Sequence, residues 1–216
     1  MRLAQFTAPR RREQFVLGRW LARRALCEHF GGDIVDWDLT AAAGRPPTAA
    51  GRPDIHLSLS HSGEWLACAV AAEPVGVDVE VIKASRDVDA LAEIVCGDDE
   101  RRRLAGLYAD AAQHLFHCFW TLKEAWLKQR HVALDFQLMR RVQPQAADGG
   151  DADARTWLLP EHALVVALVS GAVAGSRFNL PHPLAARASL DWRLTLLEAS
   201  PSPTLPREHS SRLPAG

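Results

Sequence analysis

Residues 119–128 read Phe-Trp-Thr-Leu-Lys-Glu-Ala-Trp-Leu-Lys. Leu115, Phe119, Leu122 and Trp126 recur at the spacing of one apolar helix face, which predicts an amphipathic helix through this stretch. At 100° per residue Glu124 points nearly opposite that face, and Lys128, four residues on, is its neighbour. Trp120 and Thr121 lie within about a turn of the same side. Of the 25 lysines and arginines only three are lysines, and two of them, Lys123 and Lys128, fall here. A compact ammonium meets phosphate differently from a guanidinium, so this placement suggests a ligand. The plain alternative is a surface Glu–Lys pair contributing about 0.3–0.5 kcal/mol.

Working outward, residues 75–81 read Val-Gly-Val-Asp-Val-Glu-Val. The four valines share one face of a predicted strand, leaving Gly76, Asp78 and Glu80 on the other. Residues two apart on a strand point the same way, with Cα atoms about 6.5–7 Å apart. Two carboxylates so placed can share a hard divalent ion or stand on an ordinary solvent face. Residues 55–62, Ile-His-Leu-Ser-Leu-Ser-His-Ser, alternate strictly, predicting a half-buried strand with Ile55, Leu57 and Leu59 inward. Ser60, His61 and Ser62 at its end are a candidate anion site or simply a capped strand end. No orienting acid or oxyanion hole for a Ser–His hydrolase is visible. Residues 65–72 form an apolar run suited to a central strand.

The flanks are read by the same signals. Residues 13–30 predict a helix ended by Gly31-Gly32, with Phe15, Leu17, Leu21, Ala25 and Leu26 as its apolar surface. Arg19, Arg23 and Arg24 cluster opposite, either solvated or forming an anion site. Residues 34–39 suggest a short strand, and 40–54, with Gly-Arg-Pro at 44–46 and again at 51–53, a loop. Residues 97–100 read as a helix start with Asp98 as N-cap. Arg101, Arg102 and Arg103 follow, with Leu104 and Leu107. They are either a solvated face or a docking surface for an acidic partner. Strands are expected at 134–142, 155–159, 162–170 and 190–198, with turns over 143–153. Residues 199–216, rich in Ser, Pro and Arg, are expected to be disordered.

Composition sets the outer limits. The 216 residues suffice for a sizeable core, and 48% hydrophobic with 24% charged residues is typical of a soluble globular protein. A net charge of −1 argues against bulk binding to nucleic acid or to an anionic membrane. No transmembrane run is present, and the Arg-rich start is not followed by an apolar signal core. Cys27, Cys68, Cys96 and Cys118 form no CxxC and are expected to be reduced packing residues of a cytoplasmic protein. The nine histidines show no zinc spacing.

Three of these segments together resemble a known family. Gly-Val-Asp-Val-Glu at 76–80 and Trp-Thr-Leu-Lys-Glu-Ala-Trp-Leu-Lys at 120–128 are similar to the two signature motifs of the 4′-phosphopantetheinyl transferase superfamily. Ser60-His61-Ser62 resembles the coenzyme A-binding motif of its longer, Sfp-type branch, and Cys96–Leu104 the segment that precedes the second signature. The resemblance covers roughly residues 10–195. It implies an α+β fold of two similar halves about a pseudo-two-fold axis, divided here as 1–81 and 82–198, with the active site between them. The implied chain is a monomer. The implied reaction moves the phosphopantetheine arm of coenzyme A to a serine of an acidic acyl or peptidyl carrier protein, releasing adenosine 3′,5′-bisphosphate.

Carried onto this chain, the resemblance makes Asp78, Glu80 and Glu124 ligands of Mg²⁺, with Mn²⁺ an alternative. Glu124 or a metal-held water would take the serine proton, and Lys128 would stabilise phosphate charge, with Lys123 a second cation in reach. Ser60 and His61 would bind the 3′-phosphate and nearby groups. Arg19 and Arg23 correspond loosely to basic positions of the first helix. Arg45, or Arg52 in the duplicated triplet, would hold the basic place of a Gly-Lys/Arg-Pro motif. Arg101, Arg102, Arg103, Leu104 and Leu107 would dock the carrier. Two departures bear on the coenzyme pocket: Leu57-Ser58 stands where Phe-Asn is common, and Gln129-Arg130-His131 where a glycine is common. Two other functions stay open, a Mg²⁺-dependent coenzyme A or nucleotide pyrophosphate hydrolase and a non-catalytic carrier-binding module.

Overall fold

A computed structural model describes residues 8–40, 46–171, 173–177, 179 and 189–198. Helix α1 (Pro9–Phe30) begins with proline at its first position and ends at Gly31, whose φ of 83° takes the chain out of the helix. Its buried ridge is Gly18, Ala22 and Leu26, an i,i+4 row of mostly small residues, while Leu17 and Trp20 are exposed. Small residues there let α1 lie close on the hairpin described next, with Leu59 Cδ1 3.8 Å from where a Gly18 Cβ would sit. The expected strand at 34–39 is instead a 3₁₀ turn over Ile34–Asp36, and Asp36 accepts the Asp33 N–H at 2.8 Å. The 40–54 stretch carries a small ribbon, β1 (Leu39–Thr40) paired with β2 (Thr48–Ala49).

Strands β3 (His56–Ser62) and β4 (Trp65–Ala71) form an antiparallel hairpin whose turn uses Gly63 at φ 58°. Among the described residues β4 pairs only with β3, and it is half-buried throughout, so it is not the central strand its composition suggests. β5 (Val75–Val81) follows and leaves the hairpin's sheet. It pairs along its length with β8, so a division at residue 81 cuts this strand from the chain it hydrogen-bonds.

Helices α2 (Val88–Val95), α3 (Asp98–Ala105) and α4 (Ala109–Gln129) come next. The N-cap of α3 is Gly97, not Asp98, and Glu100 Oε2 accepts the Gly97 N–H at 2.8 Å. Residues 136–141, expected within a strand, form the short helix α5 (Phe136–Arg141), because Asp135 caps it by accepting from Leu138 N at 2.9 Å. β6 (Val142–Ala146) then occupies part of the expected turn region. It contains Pro144, which is tolerated because β6 is an edge strand. β7 (Ala154–Leu159), β8 (Leu164–Ser170) and β9 (Ser189–Leu196) complete a five-stranded sheet of order β5-β8-β7-β9-β6.

The architecture is therefore α+β, with helices on antiparallel sheets. The largest core lies between α4 and the five-stranded sheet. Phe116, Phe119, Leu122, Ala125 and Trp126 meet Ala154, Ala167, Val169 and Trp192 there. Full burial of each large side chain contributes about 1.5–3 kcal/mol. The valines of β5 face the other way, where Val77 and Val79 pack with Trp157, Leu159, Leu164 and Val166 and the inner side of β4. Asp78 and Glu80 consequently face α4. Cys96 and Cys118 are buried and Cys27 and Cys68 half-buried, all four as free thiols. Among the described residues no helix is long and apolar enough to cross a membrane. Arg45 and the 199–216 tail lie outside the described residues.

Candidate active site

The site forms where β3, β5 and α4 meet, and a glycine sets the spacing. A Cβ on Gly76 would lie 1.9 Å from Ala125 O and 2.6 Å from Gln129 N. The strand therefore touches the backbone of the last turns of α4, which any side chain would prevent. Two residues on, Asp78 comes up beneath Lys128, whose Nζ donates to Asp78 Oδ1 at 2.5 Å. Glu124 Oε2 is 4.0 Å from the same ammonium, and nearby Trp120 favours the charged form of the Glu124 carboxyl.

On the other side, the serines of β3 replace a backbone ladder. Ser58 Oγ accepts from Val77 N at 2.9 Å and Ser62 Oγ from Val81 N at 3.1 Å, joining the hairpin to the edge of the five-stranded sheet. Between them Ser60 Oγ donates to Asp78 Oδ1 at 2.6 Å and accepts from Lys128 Nζ at 2.8 Å. Its single proton is thus spent on Asp78, and Ser60 positions that carboxylate rather than standing open to a ligand. The alternation of residues 55–62 has an apolar face and a serine face, both covered: Ser58, Ser60 and Ser62 are all buried.

Electrostatics single out the acids. Burial pushes the Asp78 carboxyl up, against the pull of Lys128 and Ser60. Burial, then the charge of Asp78, raises Glu124 to about 7, with Lys128 acting against them and Glu80 reinforcing them. Asp78 Oδ2 is buried with no hydrogen-bond partner among the described residues, so a carboxylate oxygen is held in the interior with its acceptor capacity unused. Glu80 is turned to Arg86, whose Nη2 lies 2.7 Å from Glu80 Oε1. In this arrangement no three metal-ligating groups close on one point among the described residues. Still, Asp78, Glu80 and Glu124 share one electrostatic environment, and the spare oxygen of Asp78 lies within it.

His61 is exposed at the rim. Burial of part of its ring lowers its pKa, and the charges of Arg11, Lys128 and Arg10 add to this effect against Asp78. The imidazole is therefore surrounded by cations. Arg10 and Arg11, at the start of α1, were not singled out from sequence, where an arginine run beside an N-terminus reads as solvated. Arg86 was also missed, since one arginine in a polar connection carries no periodic signal.

Several expected site residues are placed elsewhere. Lys123 is fully buried; its Nζ donates to Glu100 Oε2 at 2.7 Å and Val95 O at 2.8 Å, so it braces α4 against α2 and α3 and is not at the site. Arg19 donates to Leu39 O at 2.6 Å and Arg23 to Trp37 O at 2.8 Å, tying α1 to the 37–39 segment. Arg52 forms a two-pronged pair with Asp54 and lines a cavity of about 580 Å³ together with Pro46, Pro47, His56 and His131. His131 has φ 55°, the left-handed conformation that favours glycine, so this chain keeps the backbone turn without the glycine. Of the expected docking set, Leu104 is core and Arg103 lies over the rings of Phe119 and Trp192. Arg101 pairs with Glu93 and Asp98, and Arg102 with Asp99.

Comparison with known proteins agrees with this geometry. Residues 74–169, which span β5 to β8, match the family model of the 4′-phosphopantetheinyl transferase superfamily. The 4′-phosphopantetheinyl transferase psf-1 of Bacillus pumilus is 30% identical over 148 residues, covering 68% of this chain and 60% of that protein. Sfp of Bacillus subtilis strain 168 is 27% identical over 150 residues, covering 63% and 66%. AcpT of Escherichia coli K12 is 35% identical over 113 residues, covering 52% and 57%. The chain thus spans roughly half to two-thirds of the length of the curated relatives it matches. The stretch that carries Asp78, Glu80, Glu124 and Lys128 is thus similar to the 4′-phosphopantetheinyl transferase superfamily.

Proposed function

We propose that this protein transfers the 4′-phosphopantetheine arm of coenzyme A to a serine hydroxyl of an apo-carrier protein, releasing adenosine 3′,5′-bisphosphate. The observation that carries this reading is the convergence of Asp78, Glu124 and Lys128 under α4, with an unpartnered Asp78 oxygen inside. In the transfer, the serine oxygen attacks the β-phosphorus of coenzyme A and the bond to the bridging oxygen breaks, so charge grows on the departing bisphosphate. Asp78, Glu80 and Glu124 would hold a Mg²⁺ or Mn²⁺ ion, a match of oxygen donors to a hard cation. When bound, that ion neutralises charge on the pyrophosphate oxygens.

The chain's own groups supply the rest. Lys128, already fixed by Ser60 and Asp78, presents an ammonium at the acid cluster and is partly exposed for phosphate. Glu124, beside Lys128 in the acid cluster, suits the role of accepting the serine proton. Arg11 and Arg10 form a cationic rim for the phosphates of the coenzyme, with His61 beside them as a neutral hydrogen-bonding group. The two halves, α1 on β3–β4 and α4 on the five-stranded sheet, are read as related by an internal two-fold axis, which favours a monomer. An acidic carrier surface and a cytoplasmic location belong to the same reading.

The test is incubation with coenzyme A, Mg²⁺ and a panel of apo-carrier proteins, followed by intact mass. The expected result is addition of one phosphopantetheine group to at least one carrier. Breakdown of coenzyme A without a modified protein would favour the hydrolase instead, and carrier binding without either product a non-catalytic module.

A further inference from the structure

The segment after β5 carries a cation that neither signature motif accounts for. Arg86 places Nη2 2.7 Å from Glu80 Oε1, and both side chains are mostly buried, at 22% and 16% exposure. Its guanidinium also lies 5.6 Å from the centre of the Trp120 ring. Trp120 in turn stands near Glu124 and favours its charged form. Arg86 therefore touches one of the three acids and packs on a neighbour of another. Its Nη1 is buried and has no hydrogen-bond partner among the described residues, so the fork is only half used there.

Such a cation has two physical consequences. While no metal is present, it is the ion-pair partner of Glu80, whose charge also reaches Glu124. A divalent ion binding alone must draw Glu80 away from it and then sit beside both Arg86 and Lys128. Losing its carboxylate leaves a mostly buried guanidinium unpaired, which is unfavourable unless another anion replaces it. A phosphate is that replacement, because the planar fork matches phosphate oxygens.

Resting on the reading of this site as one for a metal and coenzyme A, we propose that Arg86 is an exchangeable counter-ion. It holds Glu80 while the site is empty, yields it to the metal, and then pairs with the coenzyme's phosphates. Metal and coenzyme binding are thereby coupled through Arg86, each favouring the other.

Two equilibria test this without measuring turnover: Mn²⁺ binding to the protein alone, followed by electron paramagnetic resonance, and coenzyme A binding at saturating Mg²⁺, followed by calorimetry. Arg86→Gln is expected to bind Mn²⁺ alone on the order of tenfold more tightly and coenzyme A with Mg²⁺ on the order of tenfold more weakly. Arg86→Lys, which keeps the charge but not the fork, is expected to match wild type for Mn²⁺ and fall between the two for coenzyme A. If Arg86→Gln weakens both equilibria, or moves neither, the residue is structural or idle and the exchange is overturned. If Arg86→Gln does not fold, the lysine form decides: looser binding of Mn²⁺ alone than in wild type overturns the exchange. Asp78→Asn separates this from the site itself: wild-type Mn²⁺ binding that Asp78→Asn leaves intact removes the site assignment and the exchange together.

Discussion

Helix α4 carries two lysine–carboxylate pairs five residues apart, and they do opposite work. Lys123 and Glu100 are sealed, at 0% and 2% exposure, with Glu100 also accepting from Gly97 N–H and Gln143. Lys128 and Asp78 have the same chemistry, but Lys128 is 30% exposed and Glu124 stands beside it. Burial opposes the charges in the sealed pair, lowering the pKa of Lys123 and raising that of Glu100. Among the described residues each carboxylate keeps one buried oxygen without a partner, Glu100 Oε1 in the sealed pair and Asp78 Oδ2 in the open one, so spare acceptor capacity alone does not make a site. What separates structure from site here is the access of Lys128 to solvent and the second acid beside it, not the residue types.

The comparison breaks most visibly at Asp78. Asp78→Asn keeps the shape but removes the charge, and transfer to a carrier serine is expected to fall at least about 10³-fold, several kcal/mol of barrier. Burial already works against the Asp78 charge, so the melting temperature should hold or rise. Intact mass of the carrier and a thermal melt read the two halves of this prediction. A variant that retains full activity would detach Asp78 from the chemistry. The mirror experiment is Lys123→Met, which leaves Glu100 buried and unpaired. It is expected to destabilise by about 3–5 kcal/mol, measured by denaturant midpoint, while activity per folded molecule is unchanged. Adding Glu100→Gln should recover part of the loss by removing the stranded charge.

The difference between the two lysines was partly legible in the sequence. Residues 123 and 128 are about 140° apart on a helical wheel, whereas 124 and 128 are about 40° apart. Periodicity thus gives the angle between side chains, but not which of them a neighbouring element covers. Alternation likewise revealed β5 and its two faces, yet the presence of a helix over Asp78 depends on contacts far apart in the chain. Short elements fared worse. The six residues of α5 lack a helical period, and only the Asp135 cap marks them. β6 was hidden by Pro144, a residue allowed there only because the strand is at an edge. The serines of β3 looked like a solvent face because nothing local shows that β5 will use them as acceptors.

A smaller effect sharpens the open pair. The Glu124 pKa is raised from about 4.5 to about 7, so the folded, metal-free protein binds more protons than the unfolded chain between those values. Its stability should therefore fall as pH rises through that window, by about 1–3 kcal/mol. Glu124→Gln should remove this dependence, melting higher than wild type at pH 8 and nearly the same at pH 4.5. Addition of Mg²⁺ to the wild type should offset the loss at pH 8. A pH profile identical in the two proteins would show that Glu124 titrates normally.

The smallest effect belongs to the arginines of α3, which differ from both lysines in being paired at the surface. Arg102 is 71% exposed and pairs with Asp99 one turn back, an i,i+3 contact in water. Such pairs contribute about 0.2–1 kcal/mol, so Arg102→Ala should change stability by no more than about that. Docking is the sharper question, because Arg103 is committed to the Phe119 and Trp192 rings and Leu104 to the core. Arg102, Arg103 and Leu107 are the exposed part of the expected set, with Asp99 already offsetting the charge of Arg102. The KM for carrier should therefore rise less than about threefold in Arg102→Ala, since a rim charge mainly alters association rate. A much larger rise with unchanged kcat would show that the carrier draws Arg102 away from Asp99. That would be the kind of partner exchange that the sealed Lys123–Glu100 pair has no room to make.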